Sequence, residues 1–243
     1  MNSRLFWGVT MIISALAGIG VSRVSFTESM RLGSSISVII FALPSLIALT
    51  KWLRLPLSIV TISILSLCAY TFEIGSIKLG FPYGFFTYSS SMAYKLFNTV
   101  PWNVPFAWIP VVVGAVSIAK NRSSPFWVQL LISTSILLFF DLLLDPVAVL
   151  LHFWTWQVPG QYYTIPLSNF LGWILSGAIG SALLLLFGKK LGIVPAIANR
   201  GFGCIVLFWT ASAVSLKLVL PVMFGVLLLI IIFWHSRKDC FQK

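Results

Sequence analysis

Three acidic side chains lie within or beside apolar segments of the sequence, where a carboxyl group is costly. Asp141 and Asp145 fall in the apolar segment 126–151, and Glu73 directly follows the apolar segment 55–72. An aspartate at the centre of a membrane costs roughly 2.5 to 3.5 kcal/mol on insertion scales. These acids are therefore expected to have either a chemical role or a polar partner.

The spacing of the two aspartates suits proton transfer. At about 100° per residue, Asp141 and Asp145 fall about 40° apart on one face of a helix, in the outer half of their segment. Glu73 lies on the same side of the membrane. When two carboxyl groups share a low-dielectric site without a cation, at least one is expected to keep its proton, which makes it a candidate general acid. The alternative is a structural hydrogen-bonded pair, partnered by Asn169, a tyrosine or a tryptophan.

The other reactive residues argue against metal and redox chemistry. Three cysteines, Cys68, Cys204 and Cys240, are too few and too scattered for a zinc site, a cluster or a disulfide framework. Two histidines, His152 and His235, cannot supply the many ligands of a membrane di-iron centre. We therefore expect no metal and no cofactor, and chemistry that rests on carboxyl groups, tyrosines or the ordered backbone.

The elements that must position these acids are membrane-spanning helices. Hydrophobic residues make up 59% of the 243 residues and charged residues 9%, whereas soluble domains carry roughly 25% charged residues. A bilayer core about 30 Å thick is crossed by an apolar helix of about 20 residues. Eight segments are candidates, at 5–21, 36–50, 55–72, 104–119, 126–151, 167–187, 202–216 and 218–234, and the second is short unless it extends into the serines before it.

This pattern predicts an all-α, polytopic integral membrane bundle that forms a single domain over residues 1–243. About eight transmembrane helices are expected, or seven if the last two segments form one helix. The segment 5–21 has the basic flank and the small residues of a signal peptide, but seven further segments follow, so we expect it to remain as a helix.

The basic residues predict the orientation, because Lys and Arg are enriched in cytoplasmic loops. With the N-terminus inside, eleven basic residues are cytoplasmic and five are outside, which puts both termini in the cytoplasm and the chain in the cell membrane. The net charge of +11 is then explained by loops, and no nucleic-acid partner is expected. The eleven are Arg4, Lys51, Arg54, Lys120, Arg122, Lys189, Lys190, Arg200, Arg237, Lys238 and Lys243, and the five are Arg23, Arg31, Lys78, Lys95 and Lys217.

Two connections, 73–103 and 152–166, are rich in aromatic residues, glycine and proline. Both fall on the outer side, where we expect interfacial or re-entrant segments that cover an apolar site. An ordinary aromatic belt is the alternative. The aromatic residues of interest are Tyr83, Tyr88, Trp154, Trp156 and Tyr163.

Two ordered blocks resemble the membrane carotenoid biosynthesis proteins typified by the CruF carotenoid 1',2'-hydratases. Together they cover roughly 100 of the 243 residues. The first is Phe72-Glu73-Ile74-Gly75, Gly80-Phe81-Pro82-Tyr83-Gly84, Tyr88, Val100-Pro101, Pro105 and Trp108. The second runs from Asp141-Leu142-Leu143-Leu144-Asp145-Pro146 through Trp154-Thr155-Trp156 and Tyr162-Tyr163 to 165–173.

The resemblance implies an integral membrane enzyme that adds water to the terminal 1,2 double bond of an acyclic carotenoid end group and leaves a tertiary alcohol. The partners are then a hydrophobic carotenoid, water, the lipid bilayer and neighbouring enzymes of the carotenoid pathway. No metal, redox cofactor or oxygen is needed, because an acid protonates C2 and water attacks the cation at C1.

The same resemblance suggests residue roles. One aspartate of the pair Asp141 and Asp145 donates the proton and the other places the water, with Glu73 as the second candidate donor. Asn169 orients the water or caps the sixth helix. The substrate and its cation are contacted by the π faces of Trp154, Trp156, Tyr83 and Tyr88, with Tyr163 nearby.

The chain departs from the pattern we expect of the family at two positions. Phe85 and Thr87 stand where an Arg and a Glu are expected. If that Arg and Glu set the protonation of the acid in the family, the substrate or the activity differs in this chain.

Two other functions fit the same acids. A membrane prenyltransferase could hold Mg²⁺ on a diphosphate with the Asp141 and Asp145 pair, although a second acidic cluster is missing. A proton-coupled lipid or isoprenoid carrier could use intramembrane carboxyl groups as a relay. A purely structural membrane subunit is the remaining alternative.

Overall fold

The computed structural model describes residues 3–24, 27–120 and 124–241, and this part of the chain contains eight α-helices. Six of them are long and apolar enough to cross a membrane, and the apolar parts of α1 and α4 are shorter. The chain is therefore a multi-pass, all-α membrane protein, as predicted. The helices are α1 Ser3–Val21, α2 Arg31–Leu53, α3 Leu55–Leu79, α4 Val104–Lys120, α5 Phe126–Leu150, α6 Leu167–Phe187, α7 Ala196–Ser215 and α8 Val219–Phe241.

The last two apolar segments form two separate helices. Within the described residues the number of helices is therefore eight and not seven. Ser215 ends α7 and Val219 begins α8. Between them Lys217 has a φ of 59°, a left-handed conformation that turns the chain back on itself. The apolar segments on both sides of Lys217 therefore pack as an antiparallel pair.

Several helix boundaries differ from the predicted segments; α8, for example, ends at Phe241 and not at residue 234. α2 begins at Arg31 and α7 at Ala196, because polar residues in their first turns hide these turns from a hydropathy pattern. α3 continues to Leu79, so Glu73 lies within the helix and not at its end. α3 stops at Gly80, whose φ of 74° gives a left-handed C-cap and whose N–H donates to the Ser76 carbonyl oxygen.

α4 lies at the centre of the bundle. Its residues 108–119 are all buried, and α2, α3, α5, α6 and α7 pack around it. Two glycines of α6 face large side chains of neighbouring segments. A Cβ atom at Gly180 would lie 2.7 Å from the Trp108 ring, and one at Gly172 would lie 2.5 Å from the Tyr83 ring. These glycines leave room for two aromatic rings near the acids.

The two aromatic connections pair with each other. β1 (Phe86–Tyr88) and β4 (Trp154–Trp156) form an antiparallel two-stranded ribbon, in which Phe86 is opposite Trp156 and Tyr88 is opposite Trp154. A second small hairpin joins β2 (Lys95–Leu96) to β3 (Val100–Pro101). We call the end of the bundle that carries these strands the ribbon end. Here α3 and α5 end, and α4 and α6 begin.

Candidate active site

The two aspartates of α5 are buried under the ribbon end. Asp141 is 0% exposed and Asp145 is 2% exposed, and both face α6. Asp145 lies five residues before the end of α5, which is about 7.5 Å along the helix axis. The prediction that both aspartates share one helical face is confirmed by their shared partner.

That partner is Asn169, in the first turn of α6. Its side-chain Nδ2 donates to Oδ2 of Asp145 at 2.5 Å and to Oδ2 of Asp141 at 3.0 Å. The amide thus holds the two carboxyl groups beside each other. Because two adjacent carboxyl groups in a low-dielectric site repel each other when both are ionised, this arrangement favours a state in which at least one of the pair keeps its proton. We call Asp141, Asp145 and Asn169 the acid cluster.

Pro146 leaves a backbone acceptor open directly beside the acid cluster. Proline has no N–H, so the carbonyl oxygen of Leu142 lacks its usual intrahelical donor. The hydroxyl group of Tyr162 supplies one at 2.8 Å. Tyr162 therefore stabilises the helical turn that carries Asp145, a role that the sequence pattern did not indicate.

Glu73 faces the acid cluster from α3. Its Oε2 atom accepts a 2.8 Å hydrogen bond from the Tyr88 hydroxyl group, and Lys95 Nζ donates to the backbone carbonyl of Tyr88 at 2.6 Å. Burial, and then the charge of Glu73, raise the pKa of Tyr88 well above its usual value. Tyr88 therefore stays protonated and keeps its hydrogen bond to Glu73 over the whole working pH range.

A cavity of about 130 Å³ lies between Glu73 and Asp145. Its walls are apolar and aromatic, and none of the side chains that line it is basic. The lining residues are Val38, Glu73, Tyr83, Phe86, Tyr88, Met92, Asn103, Val104, Ala107, Trp108, Phe140, Leu144, Asp145, Trp154, Trp156, Asn169 and Trp173.

Most residues predicted for the site line this cavity, and two do not. Asp141 lies behind Asp145 and Asn169, within the acid cluster. Tyr163 lies outside the cavity, with its ring centre 4.9 Å from that of Tyr162. Asp145 is therefore the member of the aspartate pair that a molecule in the cavity can contact.

Three elements hold Tyr83 in the cavity wall. Its N–H donates to Ser76 Oγ of α3 at 2.9 Å. Its carbonyl oxygen accepts hydrogen bonds from Trp156 Nε1 and from Ser168 Oγ, both at 3.2 Å. The first aromatic connection is thus fixed to α3, to β4 and to α6.

The side chains of the ribbon point alternately to its two faces. Phe86 and Tyr88 line the cavity, as do Trp154 and Trp156 on the opposite strand. Thr87 faces away, with Oγ1 3.5 Å from Oγ1 of Thr155. Neither Thr87 nor Phe85 lines the cavity, so both departures from the expected family pattern lie away from the acids.

Several residues that line the cavity were not among those predicted for the site. Trp173 follows Asn169 by four residues on one helix face, and Phe86 shares a strand face with Tyr88, so helix and strand periodicity could have identified both. Trp108 was noted only as part of a motif. Its indole Nε1 is buried without a hydrogen-bond partner among the described residues.

In the described ranges 3–24, 27–120 and 124–241, no three His, Cys, Asp or Glu side chains are grouped in a way that could hold a metal ion. Cys68 and Cys204 are free thiols, and the Cys240 side chain lies outside the described part.

Comparison with known proteins agrees with the resemblance of the two blocks. Over 128 residues the chain is 36% identical to a protein of Haloarcula japonica named bisanhydrobacterioruberin hydratase, a match that covers 51% of this chain and 43% of that relative. The match thus spans less than half the length of the relative. No solved structure matches the chain. The family model described as "carotenoid biosynthesis protein" matches residues 33–232, which is most of the sequence, and the chain therefore belongs to the carotenoid biosynthesis protein family.

Proposed function

We propose that this chain is a carotenoid hydratase that adds water to the terminal 1,2 double bond of an acyclic carotenoid end group. The observation that carries the proposal is the buried acid cluster, which reaches an aromatic cavity through Asp145 and meets no basic side chain in the cavity lining. Such a site suits a reaction that forms a carbocation and needs only a proton and water. The name of the Haloarcula japonica relative, a hydratase, supports the same reaction.

Asp145 is the proposed proton donor, because it is the aspartate that lines the cavity. Its proton adds to C2 of the double bond, and the positive charge develops at the tertiary carbon C1. Asp141 shares this proton with Asp145 before the transfer, and afterwards both carboxyl groups are ionised, with Asn169 donating to each and the carbocation balancing one of the two charges. General acid catalysis of this kind contributes about 10² to 10⁴ in rate.

Glu73 is the proposed base for the attacking water. It faces Asp145 from the other wall, and its Oε2 atom accepts the Tyr88 hydrogen bond, which holds the carboxyl group at the cavity. Water attacks C1 and gives its proton to Glu73, which leaves the tertiary alcohol, and return of a proton from Glu73 to Asp145 completes the cycle. Two carboxyl groups with different surroundings thus take different roles.

Two other groups complete the mechanism. The rings of Trp154, Trp156 and Tyr83 face the cavity and stabilise the cation, an interaction worth about 2 kcal/mol when desolvated. The Trp108 N–H donates a hydrogen bond to the attacking water, which satisfies a buried donor that has no partner in the described part of the chain.

The proposal includes a location and partners. Residues 1–243 act as one domain in the cell membrane, with both termini cytoplasmic and the ribbon end outside. Six of the eleven basic residues assigned to the cytoplasm lie on described helix ends or loops opposite the ribbon end, which supports this orientation. The side chains of Arg4, Arg122, Arg237, Lys238 and Lys243 lie outside the described part. The partners are an acyclic carotenoid, water, the lipid bilayer and neighbouring carotenoid-pathway enzymes.

Expression in a lycopene-producing host tests the function. We expect pigments heavier by one water per reacted end group, and in ¹⁸O-labelled water the new hydroxyl group carries the label. Label from O₂, or no change in pigment mass, contradicts the proposal. The two alternative functions are tested with detergent-solubilised protein in EDTA. Activity without Mg²⁺ argues against a Mg²⁺-dependent prenyltransferase, and activity without a membrane gradient argues against a proton-coupled carrier.

A further inference from the structure

The cavity is too small for a whole carotenoid. Its volume of about 130 Å³ is well below the roughly 300 to 1,000 Å³ of pockets that enclose a drug-sized ligand. An end group of a few carbons fits, but the long polyene does not. If the chain acts on carotenoids, as the proposed function states, the polyene must leave the cavity through an opening.

Ala107 marks where the cavity opens. It is the one lining residue whose side chain is exposed, whereas Val38 and Met92 beside the cavity are half-buried and the acid cluster is buried. Ala107 lies three residues after the start of α4, about 4.5 Å along the helix. The methyl side chain of alanine leaves this side of the cavity uncovered.

The opening lies between α2 and α3. These helices are joined by Arg54 alone, and near that end Ser58 Oγ donates to the Leu49 carbonyl oxygen at 2.8 Å. Toward the ribbon end, Val38 of α2, Glu73 of α3 and the exposed Ala107 of α4 line the same cavity, and from these positions we infer an opening between α2 and α3.

The surroundings of the opening are apolar. Val38 lies seven residues inside α2, about 10 Å from its first residue. Its neighbours Ile36 and Ile40 are 48% and 58% exposed on a helix that is long and apolar enough to span a membrane. In a bilayer, such side chains contact lipid, so the opening leads into the hydrocarbon region and not into water.

We propose that the polyene of the substrate passes between α2 and α3, over Ala107 and Val38, and stays in the lipid while one end group reacts. The enzyme therefore recognises a single end group and does not contact the far end. It acts on carotenoids of different length at similar rates, and a substrate with two reactive ends is hydrated in two separate binding events.

Ala107→Trp and Val38→Trp test this opening, with Ala17→Trp as the matched control. Ala17 is exposed on α1 and does not line the cavity. Each variant is purified in lipid vesicles and given lycopene or a ten-carbon acyclic terpene hydrocarbon with the same terminal double bond. We expect the ratio of lycopene rate to terpene rate to fall at least about tenfold in both cavity variants, as for other substrates that no longer fit a pocket. In the control this ratio stays at the wild-type value.

The outcomes distinguish failure of the proposed opening from failure of the proposed function. An unchanged ratio of lycopene rate to terpene rate in both cavity variants overturns the proposed opening. A wild-type protein that hydrates lycopene but not the terpene overturns it as well. Wild-type protein that hydrates neither compound contradicts the proposed function itself. If Ala107→Trp does not accumulate in the membrane, the opening is tested with Val38→Trp and with wild-type rates on 30-carbon and 40-carbon substrates. A difference of more than about tenfold between the rates on these two chain lengths overturns the proposed opening.

Discussion

The Tyr88 hydroxyl group donates a 2.8 Å hydrogen bond to Oε2 of Glu73, which joins the ribbon to α3 at the cavity wall. If Glu73 accepts the proton of the attacking water, Tyr88 acts by holding that carboxylate. We expect Glu73→Gln to lower kcat by about 100-fold or more. Tyr88→Phe should lower it by about tenfold, since one hydrogen bond to a charged group is worth about 1.5 kcal/mol.

The double variant identifies the route by which Tyr88 acts. Because its hydroxyl group works through Glu73, Tyr88→Phe combined with Glu73→Gln should be no slower than Glu73→Gln alone. Tyr94→Phe is the matched control, because Tyr94 is 70% exposed and does not line the cavity. Additive losses in the double variant would show that Tyr88 and Glu73 act independently.

The aspartate pair gives the most direct test of the acid. Asp145→Asn and Asp141→Asn keep the side-chain size but remove the shared proton, so we expect each to lower hydration by about 10² to 10⁴. Product mass is measured against the amount of each variant in the membrane. Full activity of both variants at normal membrane levels would remove the aspartates from the mechanism and leave Glu73 as the donor.

Hydropathy predicted all eight helices because an apolar segment of this length has few alternatives to a membrane-spanning helix. The spacing of Asp141 and Asp145 likewise predicted one shared face, and Asn169 was a named alternative partner. A structural hydrogen-bonded role and a catalytic role for this pair of aspartates are therefore compatible with each other. In the structure the same amide positions both carboxyl groups.

The pairing of β1 with β4 could not be predicted from the sequence. Each strand has three residues, too short for a periodic signal, and the two are separated by a small hairpin and two complete helices. The opening at Ala107 and Val38 was equally hidden, because small apolar residues that line a cavity have the same composition as residues that face lipid. Tertiary packing alone distinguishes them.

Replacing Phe85 and Thr87 by the residues expected in the family should change little. Thr87 is on the ribbon face that points away from the cavity, and Phe85 is 43% exposed with its ring against Gly80. Charged groups at exposed positions contribute little, commonly below about 1 kcal/mol. We therefore expect Phe85→Arg with Thr87→Glu to change the hydration rate by less than about threefold, measured on lycopene. A loss comparable to that of Asp145→Asn would show that the outer face of the ribbon acts on the acid cluster.

Trp108→Phe should alter the fate of the cation more than the rate at which it forms. Without the indole N–H the attacking water loses one donor, worth about 1 kcal/mol, so capture of the cation slows by about fivefold. Cations that escape capture lose a proton and return to substrate. In D₂O the ratio of deuterium exchanged into unreacted carotenoid to hydrated product should therefore rise about fivefold. A purely structural defect lowers exchange and hydration together and leaves this ratio unchanged.

The control is Trp209→Phe, because the Trp209 ring packs against Phe153 and Phe208 away from the cavity. This variant should also leave the ratio of exchange to hydration unchanged. An unchanged ratio in Trp108→Phe would assign the water to another donor and leave Trp108 as part of the apolar wall.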